Sequence, residues 1–155
     1  MKKIAGVVLV GLVLAGCSSY EPYIPDPTTA PATTARSVAE RVQTAVPEAM
    51  SLVDLTEDND ANNLLGRPNG YSQATVIVDK RAECDDSPGV DCGAVVELWP
   101  SEEAANKRKD YIQSILTDSP MLGSEYDTVR GPMILRVSGD LKPSQAKVYE
   151  QAFVG

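Results

Sequence analysis

The sequence predicts an α+β fold: a two-layer sandwich of a four-stranded, mainly antiparallel sheet with helices on one face, in the order α-β-β-α-β-β-α. Three observations carry that prediction. Two stretches rich in β-branched residues, "QATVIVDKRA" and "GAVVELWP", flank a short cysteine-bounded loop. Two more, "YDTV" and "MILRVS", bracket the turn Arg130-Gly131-Pro132. Around these pairs run segments whose apolar residues recur at helical spacing.

Taken in chain order, the first helix opens at Ser37, whose spacing to Glu40 matches a capping box. Val38, Val42, Ala45, Val46 and Ala49 then share one face, and Pro47 kinks or ends the helix near its last turn. The loop "TEDNDANNLLGRPNGY" leads to the first strand, where Thr75, Val76, Ile77 and Val78 supply β-branched character. The loop "CDDSPGVDC" separates it from the strand at 94–99, and the two read as a hairpin. Pro100 stops that strand, Ser101 caps the next helix, and Glu102 and Glu103 complement its dipole. Ala104, Ala105, Tyr111, Ile112, Ile115 and Leu116 form its expected buried stripe, with Lys107, Arg108 and Lys109 on or beside the wet face. Residues 126–129 and 133–138 make the second hairpin. The last helix begins with Pro143 near its first position. Leu141 and Ala146 are spaced as a hydrophobic staple, and Ala146, Tyr149 and Phe153 face inward.

Ahead of this domain the chain carries an address. Lys2 and Lys3 precede the apolar run "IAGVVLVGLVLA", which is short for a membrane span and reads as a cleaved export signal. It ends in "LAGC" at 14–17, an arrangement that resembles the lipobox of bacterial lipoproteins. That resemblance implies diacylglyceration of the Cys17 thiol and cleavage before it. Several acyl chains would then hold the protein on the extracytoplasmic face of the cell membrane. Three regions are expected: a signal peptide at 1–16, a lipidated Pro/Thr/Ala-rich tether at 17–37, and one globular domain at 38–155. The tether has too little aliphatic content to offset its ordering entropy with a core.

Composition narrows the chemistry. Removing residues 1–16 takes two lysines with it and brings the net charge from -8 to -10. That balance argues against nucleic acid or anionic lipid surfaces as partners. The chain has no histidine, which excludes a histidine general base, a Ser-His-Asp triad, a Cys-His pair and most zinc sites. With Cys17 lipidated in an oxidising compartment, Cys84 and Cys92 are left to form a local disulfide across the Pro-Gly turn.

The pieces "NDANNLLGRPNGYSQATVIVD", "VVELWPSEEAANKRKDYIQSIL" and "YDTVRGPMILRVSGDLKPSQAKVYEQAF" together resemble a group of small actinobacterial lipoproteins, found in bacterial genomes and their prophages. The shared features are an Asn-Leu-Leu-Gly-Arg-Pro-x-x-Tyr segment, an acidic hairpin, a helix with Tyr-Ile-Gln and a closing Leu-x-Pro-x-Gln helix. The likeness runs from about Asp58 onward. It implies compartment and shape, with no reaction and no binding residues to transfer.

Asp58, Asp60 and Asn62 match positions 1, 3 and 5 of a calcium loop, but Asn63 stands where glycine belongs and Asn69 where a bidentate glutamate belongs. The alternative is a set of Asx-turns anchored by Leu64 and Leu65. Arg67, held between Gly66 and Pro68 with Tyr71 nearby, either presents a guanidinium to a carboxylate or phosphate or bonds backbone carbonyls or one of the adjacent acids. Glu83, Asp85, Asp86 and Asp91 either take a divalent cation or form a solvated hairpin tip. Trp99, the single tryptophan, marks a partner patch or packs beneath a loop. Ser144 and Lys147 match a Ser-x-x-Lys pair only in form.

The candidate binding residues are therefore Arg67, Tyr71 and Trp99, with no metal and no cofactor. The expected function is a non-catalytic, lipid-anchored module that binds protein, its partner a host envelope or phage component. The alternatives are a superinfection-exclusion lipoprotein that blocks phage adsorption or DNA entry, and a binder of small molecules or wall ligands.

Overall fold

A computed structural model describes residues 32–84 and 87–155. The signal segment, Cys17, most of the tether, Asp85 and Asp86 lie outside the described residues. Helices α1 (Ala35–Ala45), α2 (Glu102–Asp118) and α3 (Pro143–Val154) accompany five strands: β1 (Ala49–Asp54), β2 (Gln73–Asp79), β3 (Gly93–Leu98), β4 (Glu125–Arg130) and β5 (Met133–Ser138). The strands form one open sheet in the order β1-β2-β3-β5-β4, every neighbouring pair antiparallel. The α+β class and both expected hairpins are present. The sheet nevertheless has five strands where four were expected, and the chain order is α-β-β-β-α-β-β-α.

The added strand is β1, in residues that the helical spacing assigned partly to the first helix. That helix ends at Ala45, with Val46 already extended, and Pro47 prevents its resumption. A register shift between Ala49 and Ser51 bulges β1 and leaves Met50 60% exposed. The bulge erases the alternation by which a half-buried edge strand is read. The helix also begins before Ser37. Thr34 is its cap, its hydroxyl accepting from the Ser37 N–H at 3.0 Å while the Ser37 hydroxyl accepts from the Thr34 N–H at 3.0 Å. Residues 35–37, expected in the tether, belong to α1, and Ala35 is buried.

Helices cover both faces of the sheet, not one. α1 and α3 pack on the face bearing Ile77, Val96, Leu135 and Val137. The opposite face, bearing Val76, Val95 and Ile134, is covered by Ala105 of α2 and by Leu55, Leu64, Leu65 and Tyr71 of the β1–β2 connection. Strands buried on both sides lose the apolar–polar alternation, and β2, β3 and β5 are apolar on both faces apart from Thr75, Glu97, Arg136 and their end residues.

Several local expectations hold. The Ser101 hydroxyl accepts from the Ala104 N–H at 3.1 Å and caps α2. Pro143 opens α3, Leu141 and Ala146 are both buried around its first turn, and the Gln145 side chain accepts from the Lys142 N–H at 2.8 Å. Cys84 and Cys92 are joined in a disulfide. The expected faces of α2 require correction: Arg108 is only 8% exposed, whereas Tyr111 is 60% exposed. With a polar cluster beneath it, α2 lays a guanidinium against the sheet and turns an aromatic ring outward.

Candidate functional site

The β1–β2 connection builds one wall of the site, and Asp60 organises it. Its Oδ2 accepts from the backbone N–H of Leu64 at 2.7 Å and of Leu65 at 2.8 Å. Its Oδ1 accepts from the Asn62 N–H at 3.0 Å and from the Tyr71 hydroxyl. Burial alone would raise the Asp60 carboxyl, but the Tyr71 hydroxyl and these backbone donors outweigh it and hold the group below its ordinary value. Tyr71 is driven up, by burial first and then by donating to that carboxylate. The two residues that break the calcium template have their own use. Asn63 (φ 53°) and Asn69 (φ 64°) take left-handed backbone, which asparagine tolerates. Gly70 must be glycine because a Cβ there would lie 1.8 Å from the Leu64 carbonyl oxygen. The stretch is an Asx-turn scaffold.

Beneath α2, charged side chains from three strands meet. Arg136 of β5 donates from Nε and Nη2 to the two oxygens of Glu125 at 2.8 and 2.7 Å, and from Nη1 to Glu97 at 2.8 Å. The other Glu97 oxygen accepts from the Trp99 indole N–H at 2.9 Å. Burial would lower the Arg136 guanidinium, yet its bonds to Glu125 and the nearby Glu97 charge drive it above the ordinary arginine range. Arg108 descends from α2 and donates from Nη2 to Asn62 Oδ1 at 3.1 Å. Its Nε is buried, has no hydrogen-bond partner and lies 3.6 Å from Glu97. Gln113 donates to Asp127 Oδ2 at 2.7 Å, while Asp127 Oδ1 is buried without a partner. Burial, reinforced by the neighbouring Glu125 charge, pushes the Asp127 carboxyl up to about 6, against the smaller opposing pull of Gln113 and Arg136.

Above this cluster a groove of 940 Å³ runs along α2. Arg108, Arg136 and Glu125 supply its polar floor, and Leu64, Trp99, Tyr111, Ile112, Ile115 and Leu116 supply much of its apolar wall. A second cavity of 710 Å³ beside the disulfide loop shares Asn62 and Arg136 with it, so the Arg108–Asn62 bond lies where the two spaces adjoin.

Of the residues singled out from sequence, Trp99 belongs to the groove. It is 6% exposed, bonded to Glu97, and meets Tyr71 edge-on at 5.7 Å between ring centroids. Tyr71 is fully buried behind it. Arg67 is exposed, gripped by Asn63 Oδ1 at 2.6 and 3.1 Å, and does not line the groove. The three are not one site. Sequence reading passed over Glu97, Arg108, Glu125, Asp127 and Arg136. The available signal was a charge inside an apolar strand run: Glu97 in "VVELW" and Arg136 in "MILRVS". Among the described residues, no group of three acidic or cysteine side chains is placed to hold a metal ion. No family model, no curated protein and no solved structure matches this chain.

Proposed function

We propose that this chain is a non-catalytic, lipid-anchored module outside the cytoplasm that binds a segment of another protein along the α2 groove. One observation carries the reading: α2 is docked on the sheet, yet Tyr111 is 60% exposed and Ile115 and Leu116 line an open groove. Apolar walls around a polar floor suit a side-chain-bearing segment laid into a cleft. The Leu-Ala-Gly-Cys arrangement at 14–17 supports the anchor, and the absence of histidine supports a binding role over acid–base catalysis.

A photo-crosslinking residue in place of Tyr111 tests the groove in intact producing cells. The expected result is a discrete crosslinked species from that position, lost on adding Ile115→Glu, and none from Val148 on α3. Equal crosslinking from both positions, or indifference to Ile115→Glu, would overturn the reading. The anchor is tested by fractionation: Cys17→Ala should move the protein from the membrane fraction to the soluble one.

A further inference from the structure

From the coordination of the two buried guanidiniums we infer that the groove selects a segment carrying a carboxylate flanked by apolar side chains, with Arg108 as its receptor. The inference rests on the groove-binding reading and specifies the chemistry of the occupant.

Arg136 and Arg108 lie in the same floor and differ in what they hold. Arg136 places Nε, Nη1 and Nη2 on the carboxylates of Glu125 and Glu97. Arg108 has one hydrogen bond among the described residues, to the neutral side chain of Asn62. Its nearest carboxylate oxygen, 3.6 Å from Nε, already accepts from the Trp99 indole. A guanidinium has five N–H donors; on Arg108 Nη2 is bonded to Asn62, Nε is buried without a partner, and Nη1 has no protein acceptor among the described residues. Buried donors left unsatisfied are costly, so Arg108 keeps hydrogen-bonding capacity for an acceptor even though its charge is countered within the cluster by Glu97.

The surroundings define that acceptor. Because arginine only donates, Asn62 must turn its oxygen to Arg108. The acids of the groove are already engaged: Glu125 is held by Nε and Nη2 of Arg136, and Glu103 is paired with Lys107 at 2.7 Å. A planar carboxylate matches the fork that Arg108 offers. Leu64, Ile115 and Leu116 along the same groove require apolar groups on either side of it.

The test is selection of random twelve-residue displayed peptides on the full chain held in detergent micelles, repeated with Arg108→Met. Wild type should enrich peptides with one Asp or Glu between apolar residues, and Arg108→Met should lose the acidic preference while keeping the apolar one. For a selected peptide, Glu→Gln should weaken binding to the wild-type protein about 10- to 100-fold, the range expected for a charged hydrogen bond. This second measurement needs no protein variant, so a misfolded Arg108→Met leaves the inference testable. Peptides that compete for the groove without acidic bias, or a Glu→Gln change without effect, would overturn the inference and leave groove binding standing. Failure to enrich any groove-binding peptide would overturn both.

Discussion

Asp127→Asn is expected to stabilise the protein at neutral pH and to have little effect under acid conditions. The buried cluster sets three carboxyls, Glu97, Glu125 and Asp127, against two guanidiniums, Arg108 and Arg136. It is neutral only when one carboxyl carries a proton. Asp127 fits that role, because its Oδ1 is sealed from water with no partner and its carboxyl is held at about 6, against an ordinary value of 3.8. The folded state therefore binds this proton more tightly than the unfolded chain does. The stabilising contribution is fully present below the ordinary value and is lost as pH rises through about 6. At about 1.4 kcal/mol for each tenfold change in proton affinity, the loss is on the order of 2–3 kcal/mol. Asparagine keeps an acceptor for Gln113, offers a donor on the Glu125 side and carries no charge to desolvate.

Urea unfolding followed by the fluorescence of Trp99 measures this, at about pH 4.5, where most of the contribution is still present, and at about pH 7.5, where it is lost. Asp60 and Asp79 have depressed folded values, so their contributions are complete above the ordinary carboxyl range and flat across this window. The variant should exceed wild type by roughly 2–3 kcal/mol at the higher pH and by only about 1 kcal/mol at the lower. A variant less stable than wild type at the higher pH, or an equal change at both, would refute the assignment of the proton to Asp127.

Arg136→Met should cost about 3–5 kcal/mol in the same unfolding assay, because it leaves Glu125 buried without its cation and Glu97 with Arg108 alone at 3.6 Å. Tyr71→Phe removes one donor to Asp60 and should cost about 1–2 kcal/mol; Asp60→Ala orphans the Tyr71 hydroxyl and three backbone donors and should cost more. Since both Asp60 oxygens are occupied by those donors, added calcium should leave the unfolding midpoint unmoved, and a calcium-dependent rise would restore the metal reading of this loop. Reducing Cys84–Cys92 should lower stability by about 2–3 kcal/mol, and two free thiols in the unreduced protein by intact mass would refute the bond.

Much of the fold was legible because local chemistry and tertiary packing agree. Ser101, Pro143, the Leu141–Ala146 pair and both hairpins are each specified within a few residues, and packing overrides none of them. β1 was not legible, since a bulged edge strand directly after a proline presents neither alternation nor an unbroken apolar run. The second helical layer could have been read. Thr75-Val76-Ile77-Val78, Ala94-Val95-Val96 and Met133-Ile134-Leu135 leave no polar side for water, and a sheet with one wet face would alternate. Placing helices on one face also forced the error at Arg108. With both faces covered, α2 needs a side against the sheet beside Glu97 and Arg136, and a guanidinium meets those acids better than Tyr111 would.

The two layers differ in the kind of interaction that holds them, and that difference bears on where function lies. Under α1 and α3 the packing is aliphatic and aromatic side chains, with one buried carboxylate among the described residues, Asp79, bonded to Tyr149 and Arg81. Under α2 the floor is charged. Apolar residues of similar volume can replace a buried ion cluster at little or no loss of stability, so stability alone does not account for keeping one. The sequence shows that this fold can cover a sheet face with apolar side chains, because it does so on the other side. The charged cluster on the α2 face lies beside the groove, around an arginine whose Nε has no partner. The α1 and α3 layer is packed with apolar side chains, and the α2 layer has a polar floor that opens to the groove through Arg108, Arg136 and Glu125.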